Sequence, residues 1–243
     1  MELIILPRNS FKKKDYDSLR SITLFAEKIL KSTNIDIPKK VYFFNSFEDF
    51  SKKVLPEVKN YGFNEKEAEE IIKCALNNGT YGTINYKEYA VVEMNFNPFN
   101  KGEYSSSDFL AMIIHESLHL HISKKLNKDI NNLKFRFKGN KFIGNEKIIM
   151  IDEGYAGFMT ELLLFGINTK KIKNIKILPL NKESPKFNKH VGKLDIEKFD
   201  SDFEKIVVLN RNKGIELFKK KFAKEKNIDK ITDFAMNELK NLF

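Results

Sequence analysis

The first apolar run, residues 3–6, is short and ends at Pro7, which predicts a buried strand. Leu19, Ile22, Phe25, Ala26, Ile29 and Leu30 then recur at helical spacing and predict an amphipathic helix over 15–31. A second strand is expected over 41–44, after Pro38, and a helix over 47–60 that Pro56 should kink or split. Asn64 and Glu67 form a capping-box pair for a helix over 64–78, with Gly79 as its stop. Tyr81, Thr83, Ile84 and Tyr86 on one arm and Tyr89, Val91, Val92, Met94 and Phe96 on the other predict a β-hairpin over 80–96, turning at Lys87 and Glu88.

The pattern changes in the second half. Residues 109–122 are mostly apolar, and the polar run 105–108 supplies oxygens to start a helix that should end near Asn127. Residues 131–145 are basic, contain Gly139 and Gly144, and read as a loop or small hairpin. A second apolar helix is expected over 148–165, closed by Gly166. Pro179 and Pro185 argue for a long connection over 168–193, and helices are expected over 195–209, 214–224 and 229–242. Strands gather early and helices late, which predicts an α+β fold.

Within the first apolar helix the chain reads His115-Glu116-Ser117-Leu118-His119. Two His four residues apart lie about 40° apart around a helix axis, so both imidazoles can face one zinc ion. Glu116 between them is placed as a general base toward a water on that ion. This assigns His115 and His119 as metal ligands and Glu116 as the catalytic residue. A catalytic zinc takes a third protein ligand and keeps one position open. His121 is turned about 200° from His119 and suits a capping or surface role. Glu153 is the better third ligand: apolar residues flank it, and Gly154, Ala156 and Gly157 would let its helix come close to another. Glu161 is a rival without small neighbours, and Asp152 either orients a ligand imidazole or starts the helix at the surface.

Composition narrows the picture modestly. The 243 residues are 42% hydrophobic and 31% charged, enough for a substantial core. The net charge of +10 comes almost wholly from Lys, with arginine only at positions 8, 20, 136 and 211. Specific nucleic-acid readers lean on arginine forks, so a solvated Lys-rich surface is expected and nucleic acid is not a favoured partner. The lone Cys74 allows no intrachain disulfide. No run has the length of a membrane span, so a cytoplasmic protein with no membrane partner is expected.

The pair of segments His115-Glu116-x-x-His119 and Asp152-Glu153-Gly154-Tyr155-Ala156 resembles the gluzincin class of zinc metallopeptidases, in the clan of thermolysin-like and aminopeptidase-like enzymes. The resemblance covers roughly residues 80–243. It implies one zinc ion on His115, His119 and Glu153, and hydrolysis of peptide bonds in a peptide or protein substrate. It implies a zincin-like fold: an N-terminal lobe with a small mixed sheet (1–127), a helical C-terminal lobe (128–243) and a cleft between them. It further implies that the strand before the motif helix, over 89–96, offers its edge to substrate. His190 and Tyr155 are candidate donors to the oxyanion. The chain departs from the pattern at Gly157, where some members carry Asp. The alternative is an inactive zinc-containing module that binds a peptide or protein.

Overall fold

The computed structural model describes residues 1–6, 12–44, 46–60, 63–69, 72, 81–94, 106–138, 141–166, 191, 193–198 and 202–243. The N-terminal elements are β1 (Glu2–Leu6), α1 (Lys13–Ser32), β2 (Lys40–Phe44), α2 (Phe47–Lys59), β3 (Tyr81–Asn85) and β4 (Ala90–Met94). Helix α3 (Ser106–Leu126) carries the motif. A short helix α4 (Ile130–Lys134) and a hairpin, β5 (Phe135–Lys138) with β6 (Lys141–Gly144), lead into α5 (Glu146–Glu161). A π-helical turn, Leu162–Gly166, extends α5, and α6 (Asp202–Lys221) and α7 (Ile228–Lys240) complete the fold. The class is α+β, mostly helical with one small mixed sheet.

The sheet order is β1-β2-β4-β3. β1, β2 and β4 run parallel, and β3 is antiparallel to β4. This corrects one expectation. β4 is paired on both sides, by β2 and by β3, so its backbone has no edge to offer a substrate. The parallel β2–β4 pairing takes that edge, and no local pattern announces it. β3 lies at the edge beside the motif helix, against which it packs.

Period-two alternation distributes the strand side chains between two cores. Val41, Phe43, Ile84 and Val91 face the larger core with α1, α3, α5 and α7. Tyr42, Phe44, Ala90 and Val92 face a smaller one with Phe50, Val54 and Val58 of α2, plus Ala68 and Ile72. Pro56 sits inside α2 without splitting it. The Asn64–Glu67 capping box forms: each residue's backbone N–H donates to the other's side chain, at 2.9 and 3.0 Å. Cys74 and Gly79 lie outside the described residues.

α3 is the centre of the molecule. Every residue from 108 to 123 is buried. Its neighbours are α1, α5, α7 and the β3–β4 hairpin. Helix α6 corrects a second expectation, because it runs unbroken through Gly214 where two helices were predicted. Gly214 resembles a stop signal locally, but its function is tertiary. A Cβ there would lie 1.9 Å from the carbonyl oxygen of Met150, and one on Gly154 would lie 2.5 Å from Gly214 Cα. Gly154 and Gly214 facing one another permit α5 and α6 to touch this closely. Among the described residues no helix is long and apolar enough to cross a membrane.

Candidate metal centre

The site is built from α3 and α5, and α4 ties them together. Ser123 Oγ near the end of α3 accepts from the Ile130 N–H at 3.2 Å, fixing the start of α4. The carbonyl of Lys134, at the end of α4, accepts from Asn145 N–H at 2.7 Å. Asn145 is also the N-cap of α5, its side chain accepting from Ile148 N–H at 3.3 Å. The register of α5 against α3 is thereby set from both sides of a short connection.

His115 and His119 meet as the helical spacing requires, with their Nε2 atoms 3.1 Å apart. Glu153 reaches both from α5: Oε2 lies 3.5 Å from His115 Nε2, and Oε1 lies 3.6 Å from His119 Nε2. These are the one group among the described residues with three potential metal ligands converging, all within 4.8 Å of one another. A tetrahedral zinc with bonds near 2.05 Å spaces its donors by about 3.3 Å. The observed spacings bracket that value, and two imidazoles with a carboxylate form a suitable donor set for zinc.

Charge is concentrated around this cluster and paired within it. His119 Nδ1 lies 2.8 Å from Asp152 Oδ2, which is fully buried. Lys134 Nζ lies 2.8 Å from the same oxygen and donates to Glu153 Oε1 at 2.9 Å. The two approaches to Asp152 are oblique, so they count as ion contacts more than straight hydrogen bonds. Burial works against each of these charges, and their neighbours outweigh it. Lys134 and His119 hold Glu153 well below the usual carboxylate range. Asp152 is lowered by His119 and Lys134, and His119 is raised by Asp152. Lys134 is raised by the two carboxylates. His115 has a weaker set of partners, and burial pushes it down to about 4. Glu116, also on α3, is pushed up to about 7 by burial.

Asp152 sits against the His119 imidazole, one of the two roles its place in the sequence allowed. Glu161 is outside the cluster, paired at 2.8 Å with Lys219 on the surface. His121 points away from the His115–His119–Glu153 cluster, as its turn about the axis required, but it is buried and has no surface role. Its Nδ1 accepts from the Asp36 N–H at 3.1 Å and lies 3.0 Å from Asp36 Oδ2. Tyr155 has a packing role: its hydroxyl is 3.0 Å from Thr232 Oγ1 and its ring meets Phe218 edge-on. His190 lies outside the described residues.

Two residues of the site were missed from sequence. Lys134 is one lysine in a lysine-rich chain, and only its apolar neighbours Leu133 and Phe135 hint that it is buried. Arg211, on α6, is 5% exposed and lies in the field of Glu153 and Glu116, with burial lowering it to about 10. At Gly157, the position of the departure, a Cβ would be 2.9 Å from Ile215 Cδ1 and 3.4 Å from Arg211 Nε, so the crowding there comes from Ile215. Compared with family models, with curated proteins and with solved structures, the chain matches none.

Proposed function

We propose that this protein is a zinc-dependent peptidase. The observation that carries the reading is the convergence of His115, His119 and Glu153 from two helices at donor spacings suited to zinc, with Glu116 on the same helix as the His pair. A zinc ion in this position would polarise a carbonyl and make a water acidic enough to attack it at neutral pH.

The chain's own residues do the rest. Asp152 orients His119 so that Nε2 presents its lone pair to the site. Glu116 accepts the proton of the attacking water and delivers it to the leaving amine. Its carboxyl, held near 7 by burial, suits both halves of that task at neutral pH. An extended peptide would pair with the outer edge of β3, the strand packed on α3. In this reading the cleft lies between an N-terminal lobe ending at residue 127 and a C-terminal lobe beginning at residue 128.

The test is metal analysis of the purified protein together with hydrolysis of a mixed peptide library. One zinc per chain in wild type, none in His115→Ala or Glu153→Ala, and zinc-loaded but inactive Glu116→Gln are expected. A wild-type protein that takes up no zinc refutes the reading. Zinc uptake with no cleavage of any peptide leaves a binding module in its place.

A further inference from the structure

We propose that Lys134 is a positioning residue for the metal centre: its ammonium occupies one oxygen of Glu153 and leaves the other to act as the single ligating atom. This rests on the zinc reading above. Three observations carry it. Lys134 Nζ donates to Glu153 Oε1 at 2.9 Å, an oxygen that also lies 3.6 Å from His119 Nε2, while Oε2 lies 3.5 Å from His115 Nε2. The same ammonium lies 2.8 Å from Asp152 Oδ2, which is 2.8 Å from His119 Nδ1. One cation therefore joins the carboxylate ligand to the partner of an imidazole ligand. The Lys134 side chain is 4% exposed, so it is enclosed with these two carboxylates.

The backbone shows why Lys134 stays in place. Its carbonyl is fixed by Asn145 at the start of the helix that carries Glu153, and its own helix is fixed to α3 through Ser123. The ammonium is thus held relative to both ligand helices at once. A flexible surface lysine would lose side-chain entropy on being fixed like this, but a buried one has already lost it.

The function of such a residue follows from carboxylate chemistry. A free carboxylate beside a divalent ion can bind through one oxygen or two. Two-oxygen binding would occupy the position that an attacking water needs. By holding Oε1, Lys134 keeps Glu153 to one oxygen and keeps the fourth position available. Its job is the coordination number, and it touches neither substrate nor the reacting atoms.

Cobalt(II) in place of zinc reports coordination number through the intensity of its visible absorption. Wild-type protein loaded with cobalt should show the strong bands of a four-coordinate ion. Lys134→Met should still take up one ion, with clearly weaker visible absorption as the site becomes five-coordinate. Lys134→Arg, which keeps the charge and the donors, should absorb close to wild type. If Lys134→Met does not fold, Lys134→Gln replaces it. Its amide can donate to one carboxylate oxygen but carries no charge, so it should show a smaller weakening in the same direction. A variant that folds, takes up cobalt and gives the wild-type spectrum overturns the role of Lys134 and leaves the zinc reading intact. Failure of wild type to take up cobalt or zinc overturns both.

Discussion

Helix α3 holds two buried histidine–aspartate pairs, two residues apart and on opposite sides. In one, His119 Nδ1 lies 2.8 Å from Asp152; in the other, His121 Nδ1 lies 3.0 Å from Asp36. The rings are equally enclosed, at 3% exposure each. Their surroundings differ. Asp152 is fully buried beside a buried lysine, whereas the Asp36 side chain is 28% exposed and its lysine, Lys124, is on the surface. The first pair raises its histidine, and the second leaves it lowered, because burial there outweighs a carboxylate that water screens. A histidine paired with aspartate is therefore no sign of a metal site by itself. What distinguishes His119 is that its other nitrogen faces His115 and Glu153.

The largest effect should come from separating the two histidines. His119→Ala should lose zinc through a chelating wash and lose all hydrolysis, while His121→Asn should keep both. Retained zinc in the first variant would erase the distinction drawn between them. Glu116→Gln should reduce the hydrolysis rate by roughly 10²–10⁴-fold with zinc unchanged. It should also stabilise the metal-free protein. Burial raises Glu116 to about 7 in the folded state from an ordinary carboxyl value of 4.5, so the folded protein bears a cost once pH rises through that window. Removing the carboxyl should recover about 3 kcal/mol at pH 8 and little at pH 5, read from denaturant midpoints of both proteins in chelator. An equal gain at both pH values would mean that Glu116 is not the group responsible.

A smaller, cleaner comparison uses the aspartates. Asp152→Asn should weaken zinc binding by about 10–100-fold, measured by competition with a chelating dye. Asp36→Asn should leave zinc affinity unchanged and reduce stability by less than about 1 kcal/mol, since the pair is partly solvated. Equal effects on zinc would mean the two pairs are equivalent after all. Gly214→Ala should cost about 1–3 kcal/mol in urea unfolding, because the added methyl must displace the α5 backbone at Met150. It should also loosen zinc binding, since Asp152 and Glu153 lie on that stretch of α5.

Local signals carried much of this molecule. The alternation forms the β3–β4 hairpin over the described residues 81–94, and the helical periods of α1, α3 and α5 lie where the spacing put them. The spacing of His115 and His119 made their shared face legible, and the small residues around Glu153 pointed to a close helix contact. The failures were all tertiary. Gly214 carries the same local signal whether it ends a helix or lies beneath another one, and only Gly154 across the interface decides which. Strand order depends on pairing partners far apart in the chain, so β4 could not be read as internal. Lys134 was invisible because a lysine is exceptional only once the two carboxylates that surround it are in place.

The enclosure of α3 has a consequence for how the chain reaches this structure. A helix buried around its whole circumference over 108–123 exposes a large apolar surface wherever its cover is missing. Its cover comes from α1, a hundred residues earlier, and from α5 and α7, the latter a hundred residues later. Until α7 is made and docked, one side of the most apolar segment stays open to other chains. Such long-range closure is slow compared with local contacts. A version shortened before Ile228 should therefore collect in the insoluble fraction, even though it retains His115, His119 and Glu153.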